Sequence, residues 1–169
     1  MTISDTKTNS SKDTEMNTPN SGHTPSGETA HPHTAAQSGI QEWRRIIGAQ
    51  DWDRLPDLLT ENVVYRNPAT FESYHGKPTL VAVLRAVFGV FHDFKYLRQF
   101  NNGSGYVLEF SARVGDADLS GVDLVEFNQD GKLTDLMVMI RPANVVLTLA
   151  AEAAKRLTLA QPSADNLPR

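Results

Sequence analysis

Residues 105–142, GYVLEFSARVGDADLSGVDLVEFNQDGKLTDLMVMIRP, constrain the fold more than any other stretch. Three apolar runs of strand length are separated by two tight turn signals, Gly115-Asp116-Ala117-Asp118 and Asn128-Gln129-Asp130-Gly131. Apolar runs joined by short Asp/Gly turns form β-hairpins. A three-stranded meander therefore closes the second half of the chain, and Pro142 stops its last strand.

The rest is read outward from that meander. Residues 1–38 contain Ile3 as their only aliphatic residue larger than alanine and no aromatic, so they cannot bury enough apolar surface to offset chain entropy. They read as a disordered tail. Its histidines, His23, His31 and His33, read as solvated, because His-x-His alone lacks the closed ligand set of a metal site. Order is expected over 39–158. Ile40, Trp43, Ile46 and Ile47 recur at helical spacing, with Ser38 as cap and Gln41 completing a capping box. A second short helix is expected over Trp52–Leu59, then a strand over Asn62–Asn67 stopped by Pro68, then a loop over 69–77. Pro78 opens a largely buried third helix, with His92 near its end as a cap. A strand over 94–101 leads into the meander. A last helix carries Val145, Val146, Leu149, Ala153 and Leu157 as one stripe, and residues 159–169 read as frayed. The predicted order is ααβαββββα. This is an α+β architecture with one curved, mostly antiparallel sheet and segregated helices.

Composition narrows the function classes. The chain has 169 residues and no cysteine, which removes disulfides, thiolate catalysis and Cys-based zinc sites. A net charge of −4 argues against a nucleic-acid surface. No apolar run approaches membrane-spanning length, and no apolar h-region opens the chain, so the expected location is cytoplasmic. No glycine-rich phosphate loop or nucleophile elbow occurs, so no cofactor is expected.

Strand alternation selects the candidate site residues. Asp123 stands mid-strand in Gly121-Val122-Asp123-Leu124-Val125, where a charge is costly unless it is paired or faces a solvated pocket. It reads as a pocket acid/base or as a structural partner of a buried arginine or of a backbone group. Glu109, between Leu108 and Phe110, reads as its partner in an acid/base pair if both face one cavity, or as an ion-pair partner of Arg113 or Arg66. Tyr65 and Asn67 share a strand face; they bind a ligand oxygen or, respectively, pack in the core and fix the turn at Pro68. His75 precedes a helix N-terminus and is the foremost candidate for a pocket histidine. Trp43 and Trp52 read as core. Apolar residues on both sheet faces, including Met137 and Met139, imply that a second copy covers the outer face, giving a homodimer.

Three segments carry a family likeness: Trp52-Asp53-Arg54-Leu55 with Tyr65-Arg66-Asn67-Pro68, then His75-Gly76-Lys77 before a helix, then Asp130-Gly131-Lys132-Leu133 running into Arg141-Pro142. In this order the chain resembles the nuclear transport factor 2-like superfamily, and within it the SnoaL-like proteins. The resemblance implies a conical sheet wrapped around helices with a pocket at the wide end. It includes isomerases, dehydratases, cyclases and epoxide hydrolases, so fold membership does not choose a reaction. Compared with the epoxide hydrolases, Tyr65-Arg66-Asn67 matches the Tyr-x-Asn pattern. Glu109 and Ser111 stand where an Arg-x-Asp belongs, and Val138 stands where a further Asp belongs, so that acid/base set is incomplete. A steroid-isomerase-like set of a carboxylate base with a Tyr/Asp oxyanion pair is not placed by sequence either.

Two readings follow. One is a cofactor-free isomerase, lyase or hydrolase of an apolar polyketide- or terpenoid-like compound. Asp123 and Glu109 would transfer protons, and Tyr65, Asn67, His75, Ser111 and Val138 would line the binding site. The other is a non-catalytic dimeric ligand-binding or scaffold module. A transport adaptor would need an exposed apolar patch at the dimer edge, and the sequence shows none.

Overall fold

The computed structural model describes residues 34–160. Of the tail read over 1–38, residues 1–33, with the three histidines, lie outside them, as do residues 161–169, while residues 34–38 are helical rather than disordered. The first helix, α1, spans Thr34–Ala49 and so begins before the expected start at Ile40. Ala35, Ala36 and Gln37 are good helix formers, and Ala36 is fully buried. Ser38 is thus not a cap; its hydroxyl donates to the Thr34 carbonyl at 3.2 Å from within the helix.

A short helix, α2 (Leu55–Leu58), follows, with Pro56 in its first turn. Trp52–Arg54, expected to be helical, form turns instead. Strand β1 (Leu59–Arg66) leads to β2 (Ser73–His75), which lies in a segment expected to be a loop. Three exposed residues carry no alternation to reveal a strand; β2 exists because β1 offers it an edge, with Tyr65 opposite Tyr74. Helix α3 (Lys77–Phe88) ends at Gly89, and His92 is not its cap but the first residue of β3 (His92–Asn101). The meander is β4 (Gly105–Val114), β5 (Ala117–Phe127) and β6 (Leu133–Arg141), and α4 (Ala143–Ala160) closes the described chain. At the second meander turn Gly131 has φ +74°, and a Cβ there would lie 2.6 Å from the Ala35 carbonyl oxygen. Glycine is therefore required on both counts.

The six strands form one sheet in the order β2-β1-β6-β5-β4-β3. All neighbours are antiparallel except β1 and β6. Irregular register in β1, β3 and at the end of β5 marks bulges, which bend strands and raise their twist. The sheet curves without closing. Its inner face holds Leu108, Phe110, Ala112, Val125 and Leu136, all buried, under the helices. Trp43, Ile46 and Ile47 of α1 pack on one half of this core. Val145 and Leu149 of α4 pack on the other. The outer face is half covered at best, with Met139 and Phe100 each 54% exposed.

Helix α1 sits on the sheet through Gly39. A methyl group there would lie 2.5 Å from Phe127 Cδ1 and 2.7 Å from the Gly131 carbonyl oxygen. The ring can turn, but the carbonyl belongs to a tight turn and cannot. Gly39→Ala is expected to destabilise the fold by about 1–3 kcal/mol despite alanine's better helix propensity. Urea unfolding of the variant measures this, and unchanged stability would mean that α1 docks elsewhere.

Candidate functional site

A cavity of about 180 Å³ lies between the inner sheet face and helices α3 and α4. One wall is aromatic. Phe88 and Phe94 meet edge to face at 4.8 Å between centroids, and Phe94 tilts against Phe110 at 5.3 Å. Val138 and Ile140 of β6, and Leu149, Ala153 and Leu157 of α4, complete the apolar lining. Pro68, Ala69 and Tyr74 line it from the segment after β1.

Asp123 lies opposite Leu108 on one neighbouring strand and Val138 on the other, so it points to the inner face. It is 7% exposed and is the one buried charged or polar residue among those described. Its Oδ2 accepts a hydrogen bond of 2.7 Å from the Tyr96 hydroxyl, which in turn accepts one of 2.9 Å from Trp43 Nε1. The indole has only a proton to give, and the phenol has one proton, already committed to the carboxylate. The relay therefore runs one way, from α1 through β3 to β5. No other hydrogen bond reaches the Asp123 carboxyl among the described residues, and the carboxyl borders the cavity. Burial pushes the Asp123 carboxyl up to about 7, against the Tyr96 hydrogen bond, which pulls it down.

Tyr65, on β1, also lines the cavity and is 5% exposed. Its ring tilts against Tyr74 at 6.0 Å. Burial, and then the negative charge of Asp123, hold its phenol well above the ordinary range, so it stays a neutral donor. Asn67 reaches the cavity rim, but its side chain is engaged in the following turn. Its Oδ1 accepts from the backbone N–H groups of Ala69 (2.8 Å) and Thr70 (3.0 Å), and its amide donates to Thr70 Oγ1 (3.0 Å).

The cavity therefore gathers Asp123, Tyr65, Asn67 and Val138. The remaining three expected site residues lie elsewhere. Glu109 lies opposite Val122, one residue out of phase with Asp123, and faces the outer surface. There it accepts a hydrogen bond from Arg98 Nε, which holds its carboxyl below its usual value. The acid/base pair of Asp123 and Glu109 is thus not formed, and the partner of Glu109 is neither Arg113 nor Arg66. A bulge between Tyr96 and Arg98 explains the Arg98 pairing: regular alternation would put Tyr96 and Arg98 on one face, but the bulge turns Arg98 outward onto Glu109. Ser111 lies opposite Ser120 on the same outer face. His75 lies opposite Val64 on exposed β2, out of phase with Tyr74, and does not line the cavity. Arg66 pairs instead with Asp135. Tyr96 and the polar role of Trp43 were missed; the one signal was Tyr96 two residues from Phe94, on a strand whose bulges blur its faces.

Fold and cavity together define a small α+β protein of the conical-sheet type, with one buried carboxyl facing an apolar pocket. The chain belongs to the SnoaL-like domain family within the nuclear transport factor 2-like superfamily, whose family model matches residues 40–136. It is similar to a steroid delta-isomerase from Pseudomonas aeruginosa, with 37% identity over 77% of this chain and 96% of that one, at a TM-score of 0.73. It is similar also to an uncharacterized bacterial protein with a cystatin-like fold from Silicibacter pomeroyi, with 29% identity over 75% and 90% of the two chains and a TM-score of 0.71. An NTF2-like protein of unknown function from Mesorhizobium loti shares the fold at 20% identity, covering 68% of this chain and 99% of that one, with a TM-score of 0.58. No curated protein matches the sequence.

The raised pKa of Asp123 has a consequence for stability. Unfolded, the carboxyl ionises near its ordinary value of 3.8; folded, it ionises at about 7. Between these values the folded state holds a proton that the unfolded state has lost. Stability therefore falls as pH rises from about 4 to about 7, then levels. Asp123→Asn keeps an acceptor for Tyr96 and removes the titration. Its stability is expected to be flat over this window and about 2–4 kcal/mol above the parent at pH 8. Urea unfolding at pH 5 and pH 8 tests it; an equal pH dependence in both proteins would contradict the assignment.

Proposed function

We propose that the protein is a cofactor-free isomerase that moves a proton within a small apolar unsaturated ketone of polyketide or terpenoid type. The observation that carries this reading is one carboxyl, poised near neutrality, in an otherwise apolar cavity beside a neutral phenol. Asp123 as carboxylate takes a proton from the carbon next to the carbonyl. The double bond shifts, and the same carboxyl returns the proton to a more distant carbon. The Tyr65 hydroxyl donates to the carbonyl oxygen, where negative charge grows. Tyr96 and Trp43 hold Asp123 in place. Net transfer is zero, so one group suffices, whereas hydrolysis or dehydration draws on a second acid or base that the cavity does not offer. The similarity to a protein described as a steroid delta-isomerase supports this choice. The cavity is smaller than the roughly 300–1,000 Å³ usual for drug-sized ligands, which favours a substrate of one or two rings.

A monocyclic β,γ-unsaturated ketone serves as test substrate, followed by the ultraviolet absorbance of its conjugated product. Asp123→Asn is expected to lower kcat by about 10²–10⁴-fold. Tyr65→Phe is expected to lower it about tenfold or more. A base must be ionised to act, so kcat/KM should rise with pH through about 7 and plateau above it. A profile that falls through the same pH would make Asp123 a proton donor instead and sink the assigned role.

The second reading is a non-catalytic dimeric ligand-binding module. The ion pair of Glu109 with Arg98 on the outer face favours it, because it leaves the cavity with one carboxyl. It predicts that Asp123→Asn binds the ketone as the parent does and that neither turns it over.

We further infer that the outer sheet face pairs with a second copy. Val107, Val122, Leu124 and Met139 lie there beside Phe100, an apolar strip that water covers poorly in a single copy. Met139→Arg is expected to turn a dimer into a monomer in sedimentation velocity. A parent that sediments as a monomer at micromolar concentration would refute the pairing.

A further inference from the structure

A second cleft, of about 640 Å³, opens between α1 and the β3–β4 edge, and the proposed reaction makes no use of it. Its lining has a distinct chemistry. From α1 come Gln37, Gln41 and Arg44, spaced to share one helix face, with Ile40 beside them. From β3 come Gln99 and Asn101, two residues apart on one strand face. Tyr106 of β4 lies in the floor. No carboxylate and no lysine are among these residues.

Two features separate this cleft from an ordinary polar groove. Tyr106 is 4% exposed, and its hydroxyl is buried without a hydrogen-bond partner among the described residues. Such a group is costly to fold around unless something accepts its proton. Arg44, for its part, is held from two sides. Its Nη1 donates to Gln99 Oε1 at 3.1 Å, and its guanidinium carbon lies 5.8 Å from the centre of the Tyr96 ring. Among the described residues these contacts leave the rest of the guanidinium fork free.

We propose that this cleft is a binding site for a small monocarboxylate with an apolar body. The carboxylate pairs with the Arg44 fork, the geometry in which guanidinium and carboxylate interact best. A single cation without lysine support suits one negative charge rather than a phosphate dianion. Ile40 and the Tyr106 ring provide an apolar floor for the body, and the carboxamides of Gln37, Gln41, Gln99 and Asn101 can donate or accept around its rim. The Tyr106 hydroxyl is itself shielded from the cleft and makes no contact with the ligand.

Benzoate is the probe. Titrated into the full-length protein, it is expected to shift the side-chain amide resonances of Gln99 and Asn101 in nitrogen–proton correlation spectra. Calorimetry on Arg44→Met should show affinity lowered about tenfold or more. Tyr106→Phe should leave binding unchanged and the ligand-free unfolding midpoint equal or higher, because it keeps the ring and removes an unpaired buried hydroxyl. A residue of merely structural importance would lower that midpoint instead. Shifts confined to the residues around Val138, no shifts at all, or affinity unchanged by Arg44→Met would overturn the site.

Discussion

The hydrogen bond from Tyr96 to Asp123 is the interaction on which the rest of this structure turns. A carboxyl surrounded by phenylalanine and leucine side chains is strongly disfavoured as an ion. Two things make the position tolerable. The phenol satisfies one oxygen, and Trp43 fixes that phenol by donating to it. Burial then lifts the carboxyl to where its two forms lie close in free energy at neutral pH. The same feature that weakens the fold thus makes the group able to take and return a proton.

The geometry of the sheet follows from that requirement. Three elements must converge on one point: α1 brings Trp43, β3 brings Tyr96 and β5 brings Asp123. Strands β3 and β5 are not neighbours; β4 lies between them. A flat sheet would keep their side chains parallel and apart. The bulges in β3 bend the edge strand inward, so that Tyr96 reaches over β4 to Asp123. The carboxyl and its orienting phenol are thus brought together by one curvature.

Much of this was legible in the sequence. The meander was, because its turns use Asp, Asn and Gly at positions that demand them, and Asn128 and Gly131 behave in the structure as such residues do. The exceptional position of Asp123 was legible too, since a charge between Val122 and Leu124 on a core strand breaks the local pattern. What escaped reading was set by contacts distant in sequence. Glu109 looked equivalent to Asp123 because both interrupt apolar runs, yet the register of β4 on β5 puts them one residue out of phase. The pairing of Arg98 with Glu109 depends on a bulge that has no glycine or proline to announce it. Strand β2 has no pattern of its own and exists through its neighbour. The early start of α1 was hidden because alanine and glutamine are as common in tails as in helices.

The loss of Glu109 from the cavity narrows the chemistry rather than abolishing it. Two carboxyls side by side would split their acidities and allow one to act as acid while the other acts as base. A lone carboxyl cannot divide the labour in that way. It can only hold a proton briefly and give the same proton back. Reactions that begin and end with the carboxyl in one state, with no water consumed and no group expelled, fit that limit. The apolar lining fits it as well, since it keeps bulk water from exchanging or replacing the proton while the carboxyl carries it. Asn67 points the same way. Its amide can neither take a proton nor be spared from the turn it closes, so it shapes the mouth of the cavity and, in the isomerase we propose, takes no part in proton transfer.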